Sequence, residues 1–315
     1  MKTITNVYSA LALTAGLALS GLAQADYPQK PVSFVVPFPP GDLEDVLTRL
    51  VAEDFSERYD VSAAVINKPG GGGGPFPGAI EVANAPADGY TIGSFVLDVP
   101  LVGPLIGIPD LNPNPFEPIG IFVTYPFVIA AAQDAPYNNM QELADYAQNN
   151  KVALAHFGAE LTPTQVTFAL AKKLGFEYSE DAPFDAIDCN TFSSGDADVG
   201  NTTLQLIQPC LDKVKVLVSL TPDRITHTPN SQAISEIAPE LGLALWNGLF
   251  VHKDTPADVR EKIATSAKAT MASDRAQDIA RKTGAFVYWQ DASESQAQIE
   301  ADLKAMEVVG ALLAQ

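Results

Sequence analysis

The 315-residue chain is 47% hydrophobic and carries 38 acidic against 19 basic side chains, a formal charge of −19. So strong a negative field repels phosphate backbones and anionic headgroups, which excludes nucleic acid as a partner and disfavours an anionic membrane surface. The length exceeds what one hydrophobic core fills comfortably, so two lobes are predicted.

The first 25 residues read as a cleavable export signal. Lys2 gives a positive start, residues 7–19 an apolar run too short for a bilayer, and Ala23-Gln24-Ala25 an A-x-A cleavage site. Cleavage after Ala25 would leave an exported chain beginning at Asp26. An uncleaved N-terminal anchor is the alternative. No Cys lies near the cut, so no lipid anchor is expected. No later run approaches ~20 uninterrupted apolar residues, the length a bilayer span requires.

Residues 31–45, PVSFVVPFPPGDLED, carry the clearest functional signal. An apolar strand, Val32–Val36, runs into a Pro/Gly turn that opens into a helix over 43–58. There Val46, Leu47, Leu50, Val51 and Phe55 recur at helical spacing. Such a corner aims unpaired N–H groups and the positive end of the helix dipole at one point, where a small polar or anionic group can be held. Asp42 fits its N-cap position and Asp45 its N3 position, in a box-like arrangement.

Strand 61–66, a helix near 77–84, the turn Pro86–Gly89 and strand 90–96 complete a βαβαβ order, which predicts a parallel sheet with helices on its faces. Residues 103–118 are Pro-rich and irregular. A second alternation follows: strand 127–132, helix 138–149, strand 151–156, helices 162–173 and 183–193, strand 197–200, helix 203–211 and strand 214–219. Beyond a looser stretch, 221–242, Trp246–Val251 is another strand. Thr255-Pro256-Ala257-Asp258 then reads as N-cap, first-turn Pro and acidic N3 of a helix with Val259, Ile263 and Met271 on one face. Gly284 caps the next helix. Residues 285–289 form a short strand, and 293–313 a last helix with Ile299, Leu303 and Met306 inward. Two α/β lobes in one exported chain predict a clamshell with its ligand in the cleft, closing by a hinge motion that the ligand favours.

Other chemistries lack their residues. Gly70–Gly74 is followed by Pro75-Phe76-Pro77, not by the Gly-Lys-Ser/Thr ending of a phosphate loop. Its glycines either admit a ligand close to the backbone or simply leave the loop flexible. His156, His227 and His252 are too scattered for a zinc site, and no metal or cofactor is expected. Ser94 and Thr162 have neither a Gly-x-Ser-x-Gly elbow nor an acid–His partner, so no enzyme is expected. In an oxidising exported compartment Cys189 and Cys210 read as a disulfide, with two buried free thiols as the alternative. Phe38 can stack on a ligand, and Trp246 reads as a buried aromatic near the hinge.

Seven stretches, in order, together resemble the extracytoplasmic receptors of tripartite tricarboxylate transporters, the Bug family. They are Tyr27-Pro-x-Lys-Pro31, Val36-Pro-Phe-Pro-Pro-Gly41, Asp45-Val-Leu-x-Arg49, Asn67-Lys-Pro-Gly-Gly71, Ala87-Asp-Gly-Tyr-Thr91, Gly195-x-x-Asp198 and Trp246-x-Gly-Leu-Phe250. The resemblance implies a two-lobed type II periplasmic binding fold, each lobe a mostly parallel sheet flanked by helices. Lobe 1 would be residues 26–124 plus 249–315, and lobe 2 residues 125–248. It also implies a periplasmic, non-catalytic and monomeric receptor that delivers a small organic solute, usually a carboxylate, to separate membrane permease subunits. A ligand-sensing partner of a signalling receptor would share every one of these residues.

In the family the solute is held largely by backbone amides and bridging waters. The matching positions here are Phe38, Pro40, Gly41, Asp42, Leu43, Glu44 and Asp45 in the first loop, and Gly71 and Gly72 in the second. The opposite lobe offers Gly158, Glu160 and Thr162, with Asp198, Asn201 and Thr202. Departures from the pattern are acidic. Asp42 and Glu44 replace a Gly and a small hydroxyl residue, Glu160 enters a loop usually rich in Gly and Ser, and Asp185 stands where the family has Lys. A like charge at 4 Å costs a bound carboxylate on the order of 4 kcal/mol at an effective dielectric of 20. The acids therefore raise a second expectation: a neutral, zwitterionic, amine-bearing or metal-escorted solute.

Overall fold

Val32–Val36 forms β1 and, with only Ser33 short of full burial, sits inside a sheet with a strand on either side, as an unbroken apolar run should. The computed structural model describes residues 26–70 and 74–314; the export signal, Gly71 and Gly72 lie outside them. The first half of lobe 1 continues with α1 (Leu43–Tyr59), β2 (Ala63–Asn67), α2 (Phe76–Ala83), β3 (Thr91–Val96), α3 (Asp98–Leu101) and β4 (Phe116–Thr124). Lobe 2 comprises β5 (Phe127–Ala132), α4 (Met140–Ala147), β6 (Ala153–His156), α5 (Thr162–Lys173), β7 (Glu180–Pro183), α6 (Cys189–Ser194), β8 (Val199–Thr203), α7 (Leu204–Ile207), β9 (Val214–Ser219) and α8 (Ile234–Ile237). The chain then returns to lobe 1 as β10 (Trp246–His252), α9 (Ala257–Met271), α10 (Asp274–Thr283), β11 (Phe286–Gln290) and α11 (Ala292–Leu313).

The strand orders are β11-β4-β10-β3-β1-β2 and β7-β6-β8-β5-β9. Parallel pairing is confined to β2-β1-β3 and β7-β6-β8, while β10, β4, β11, β5 and β9 pair antiparallel. Both sheets are thus mixed rather than mostly parallel. The α/β fold stands, but each time the chain crosses between lobes it enters the new sheet from the opposite end. One apolar core runs through both lobes around Trp246, Phe34, Phe55, Phe95, Phe122 and Phe250, all essentially inaccessible to water. Burying side chains of this kind is worth about 1.5–3 kcal/mol each. A smaller cluster in lobe 2 includes Cys210, whose sulfur is bonded to that of Cys189.

Several elements differ from the sequence expectation, each for a local reason. The stretch read as irregular ends in β4, nine residues long and buried in mid-sheet. Pro118 and Gly120 disguised it; both lie where its pairing with β10 is irregular. The helix expected over 183–193 is replaced by the exposed edge strand β7 and a short α6, which starts where the Asp188 side chain accepts from Asn190 N–H. Pro256, not Thr255, takes the N-cap position of α9, and the buried Thr255 hydroxyl has no partner. On α11 Leu303 is 39% exposed, because Trp246 Nε1 donates to Asp302 at 2.7 Å and turns that flank inward. The lobe boundary also moves: Trp246, Asn247 and Gly248 pair in the first sheet, so the return crossing precedes 246 rather than following 248. The two crossings meet where Tyr125 N–H donates to Leu245 O at 2.7 Å. Among the described residues no helix is long and apolar enough to cross a membrane.

Candidate functional site

Five parallel-paired strands, β1, β3, β6, β7 and β8, end against a single hollow between the lobes, and the residues just past those ends form most of its wall. They include Phe38 and Asp42 after β1, Leu97 and Asp98 after β3, Phe157 after β6, Asp185 after β7, and Gln205 and Leu206 after β8. Carboxyl ends of strands are where open α/β sheets leave a crevice. Tyr125 and Phe127, at the first crossing, close the back. The hollow holds about 120 Å³, a little less than the ~150 Å³ that accommodates benzene. A neighbouring hollow of about 250 Å³ shares Phe38, Phe157, Leu161 and Asp185 with it.

Its walls are largely apolar, with Tyr125, Thr203 and Gln205 as neutral polar groups and acids as the only charged ones among the described residues. Asp42, Glu44, Asp98 and Asp185 border it, and among the described residues no Lys, Arg or His does. Burial pushes the Glu44 carboxyl up to about 8, and the nearby Asp42 charge adds to this; the Tyr125 hydroxyl, donating to Glu44 Oε2 at 3.1 Å, opposes it only in part. Burial, then the charge of Asp45, raises Asp42 to about 6. Burial likewise raises Asp98 to about 6, although the Thr162 N–H donates to its Oδ1 at 2.6 Å. Burial raises Tyr125 well above its ordinary value, and the charges of Glu44, Asp42 and Asp98 all act on it in the same direction.

The structure sorts the sequence-selected residues by the direction they face. Phe38, Asp42, Glu44 and Asp185 are on the cavity wall. Pro40 and Gly41 are exposed on the turn, and Leu43 is packed in the core. Asp42 holds the N-cap position of α1 in extended backbone but accepts no capping hydrogen bond. Asp45 instead accepts from Gly41 N–H at 2.8 Å, from Asn67 and from both ends of the Arg49 guanidinium. Burial works against its charge, but these bonds outweigh it and hold the carboxyl below the usual range.

In lobe 2, Gly158 and Glu160 line a separate outer depression with Leu105 and Ile106, and Glu160 is exposed. Thr162 lends its N–H to Asp98. Asp198 lies at the wrong end of β8, accepting from Ala153 N–H at 2.8 Å. Asn201 and Thr202 are inside the strand and bind Pro163 O and Ile187 O. Ending β8 at 200 in the sequence reading placed its loop too early; the strand runs to Thr203, so Thr203, Gln205 and Leu206 reach the hollow. Asp98 was also missed. Its position, two residues past a buried strand at the carboxyl end of a parallel pair, marked the place but not its cross-lobe partner.

A family model described as the tripartite tricarboxylate transporter family receptor matches residues 47–310. Protein BugT of Bordetella pertussis is 26% identical over 269 residues, covering 81% of this chain and 80% of its own. A UPF0065 protein of the same organism is 28% identical over 276 residues, with 82% of each chain covered. Among solved structures, the periplasmic binding protein BugD superposes with a TM-score of 0.77 at 26% identity, covering 91% of this chain and 98% of that one. MatC of Rhodopseudomonas palustris, solved with malate, shares the fold at a TM-score of 0.75 and 22% identity, over 90% and 99% of the two chains.

Proposed function

Because the chain belongs to the tripartite tricarboxylate transporter receptor family, a family of solute-binding receptors rather than enzymes, we propose that it works in the periplasm, captures a small organic solute between its lobes and delivers it to the permease subunits of such a transporter. The observation that supports capture is the hollow to which both lobes contribute strand ends, at the place where α/β sheets bind ligands. In this reading the export signal is removed after Ala25, and the solute stabilises the closed arrangement by touching both walls. Phe38 and Phe157 face the solute from opposite lobes, and the acids among the wall residues set its charge. The family resemblance implies a carboxylate, but the acids on the wall favour a solute of different charge.

Thermal-shift screening over small carboxylates, amines and amino acids tests capture. A true ligand at 100 times its dissociation constant adds about 2.7 kcal/mol of stability, and silence across all three classes would defeat the reading. Delivery is tested by whether the chain is encoded beside two membrane permease components.

A further inference from the structure

We propose that the solute carries a protonated amine, held among Asp42, Glu44 and Asp98, with its apolar body against Phe38, Phe127 and Phe157. This rests on the receptor reading and adds the sign of the solute's charge. Among the described residues, four carboxyl side chains border the hollow and no basic side chain does. Two backbone donors near the hollow are already engaged by the protein's own carboxylates. Thr162 N–H, at the start of the 12-residue α5, holds Asp98, and Gly41 N–H holds Asp45. A carboxylate using either donor would have to displace the acid it holds, and anywhere in the hollow it would sit beside the remaining acids.

The unmet needs of the wall point the same way. Thr203 is only 7% exposed and its Oγ1 has no partner; Gln205 Oε1 is buried without one as well, and both residues border the hollow. A buried acceptor lacking a donor is costly. An ammonium group has three N–H donors and no acceptor, and it is attracted to aromatic faces. Among the described residues no three His, Cys, Asp or Glu side chains converge closely enough to hold a metal ion. The acids suit a cation that brings its own apolar body.

Asp42 and Glu44 face the site from the first turn and α1, Asp98 from beyond β3, Tyr125 from the crossing and Asp185 from beyond β7, while Asp45 is paired with Arg49. With Glu44 raised to about 8 by burial, it is largely protonated at neutral pH in the empty cleft. An arriving ammonium draws that proton off.

The test is titration calorimetry at neutral pH, in buffers of different ionisation enthalpy, with shape-matched probes: benzylamine, benzoate and benzyl alcohol, then butylamine, butyrate and butanol. The amines should bind about tenfold or more tighter than either counterpart, releasing up to about one proton per molecule bound. Glu44→Gln should weaken amine binding by about tenfold and abolish the proton release. Asp42→Asn, on the partly exposed turn, should weaken it in the same direction and covers the case in which the Glu44 variant fails to fold. Acids binding without amines, or alcohols binding as well as amines, would overturn the inference and leave the receptor standing. No binding by any probe would overturn both.

Discussion

Asp98 belongs to lobe 1 yet terminates a helix of lobe 2, and its carboxylate oxygen sits 2.6 Å from Thr162 N–H with both residues buried. It therefore acts as an internal ligand, occupying the helix end that an external anion would otherwise use. Asp98→Ala leaves that N–H without its partner, and urea unfolding should show a loss of about 1–3 kcal/mol. The same variant should begin to bind benzoate, because the vacated helix end attracts anions; a variant as indifferent to benzoate as the parent would show that Asp98 is not what excludes them. Asp42, Glu44 and Asp185 were legible as anomalies, acids standing where a known pattern has neutral or basic residues. Asp98 was not, because its meaning comes from a partner 64 positions away in sequence, and no local spacing encodes that.

Elements were legible in proportion to how cleanly their residues alternate or repeat. The corner from β1 into α1, and α5 from Thr162 to Lys173, were readable almost to the residue. β4 was hidden by Pro118 and Gly120, residues that ordinarily argue against a central strand, and ending β8 three residues early put Asn201 and Thr202 in an expected loop although they lie inside the strand. Gly120 has a packing reason: a Cβ there would lie 2.3 Å from Trp289 Cζ2. Gly120→Ala should cost about 1–3 kcal/mol through overpacking, measured by thermal unfolding. In lobe 2 the Cys189–Cys210 bond closes a loop of 21 residues' separation. Replacing both cysteines with serine should cost about 3 kcal/mol in guanidinium unfolding, and hydrogen exchange should rise around α6 and α7 rather than in lobe 1.

For the whole molecule, four carboxyls, three of them buried and Asp42 partly so, share one behaviour. Burial raises Glu44 to about 8 and Asp42, Asp98 and Asp302 to about 6. Each folded value lies above the unfolded one, so the native state holds the extra protons and stability falls as pH rises through that window. Asp45 and Glu236 are shifted downward by their hydrogen bonds and lose their contribution only in stronger acid. The solute-free protein should accordingly melt several degrees higher near about pH 5 than near about pH 8. Glu44→Gln should flatten the alkaline half of that slope; an unchanged slope would remove Glu44 from the account.

α11 ties the halves together away from both the crossings and the Asp98–Thr162 bond. Its first turn holds β4 through Ser295 and its middle holds β10 through Asp302, while Leu313 O accepts from Lys172 of α5 at 3.0 Å. Two crossing strands alone would form a swivel, free both to bend and to twist. A rod lying across the joint and touching both leaves turns the swivel into a door, with its swing kept and its twist suppressed. Guests would then be sorted by how wide the door stands, and a cut through the rod should widen what it admits.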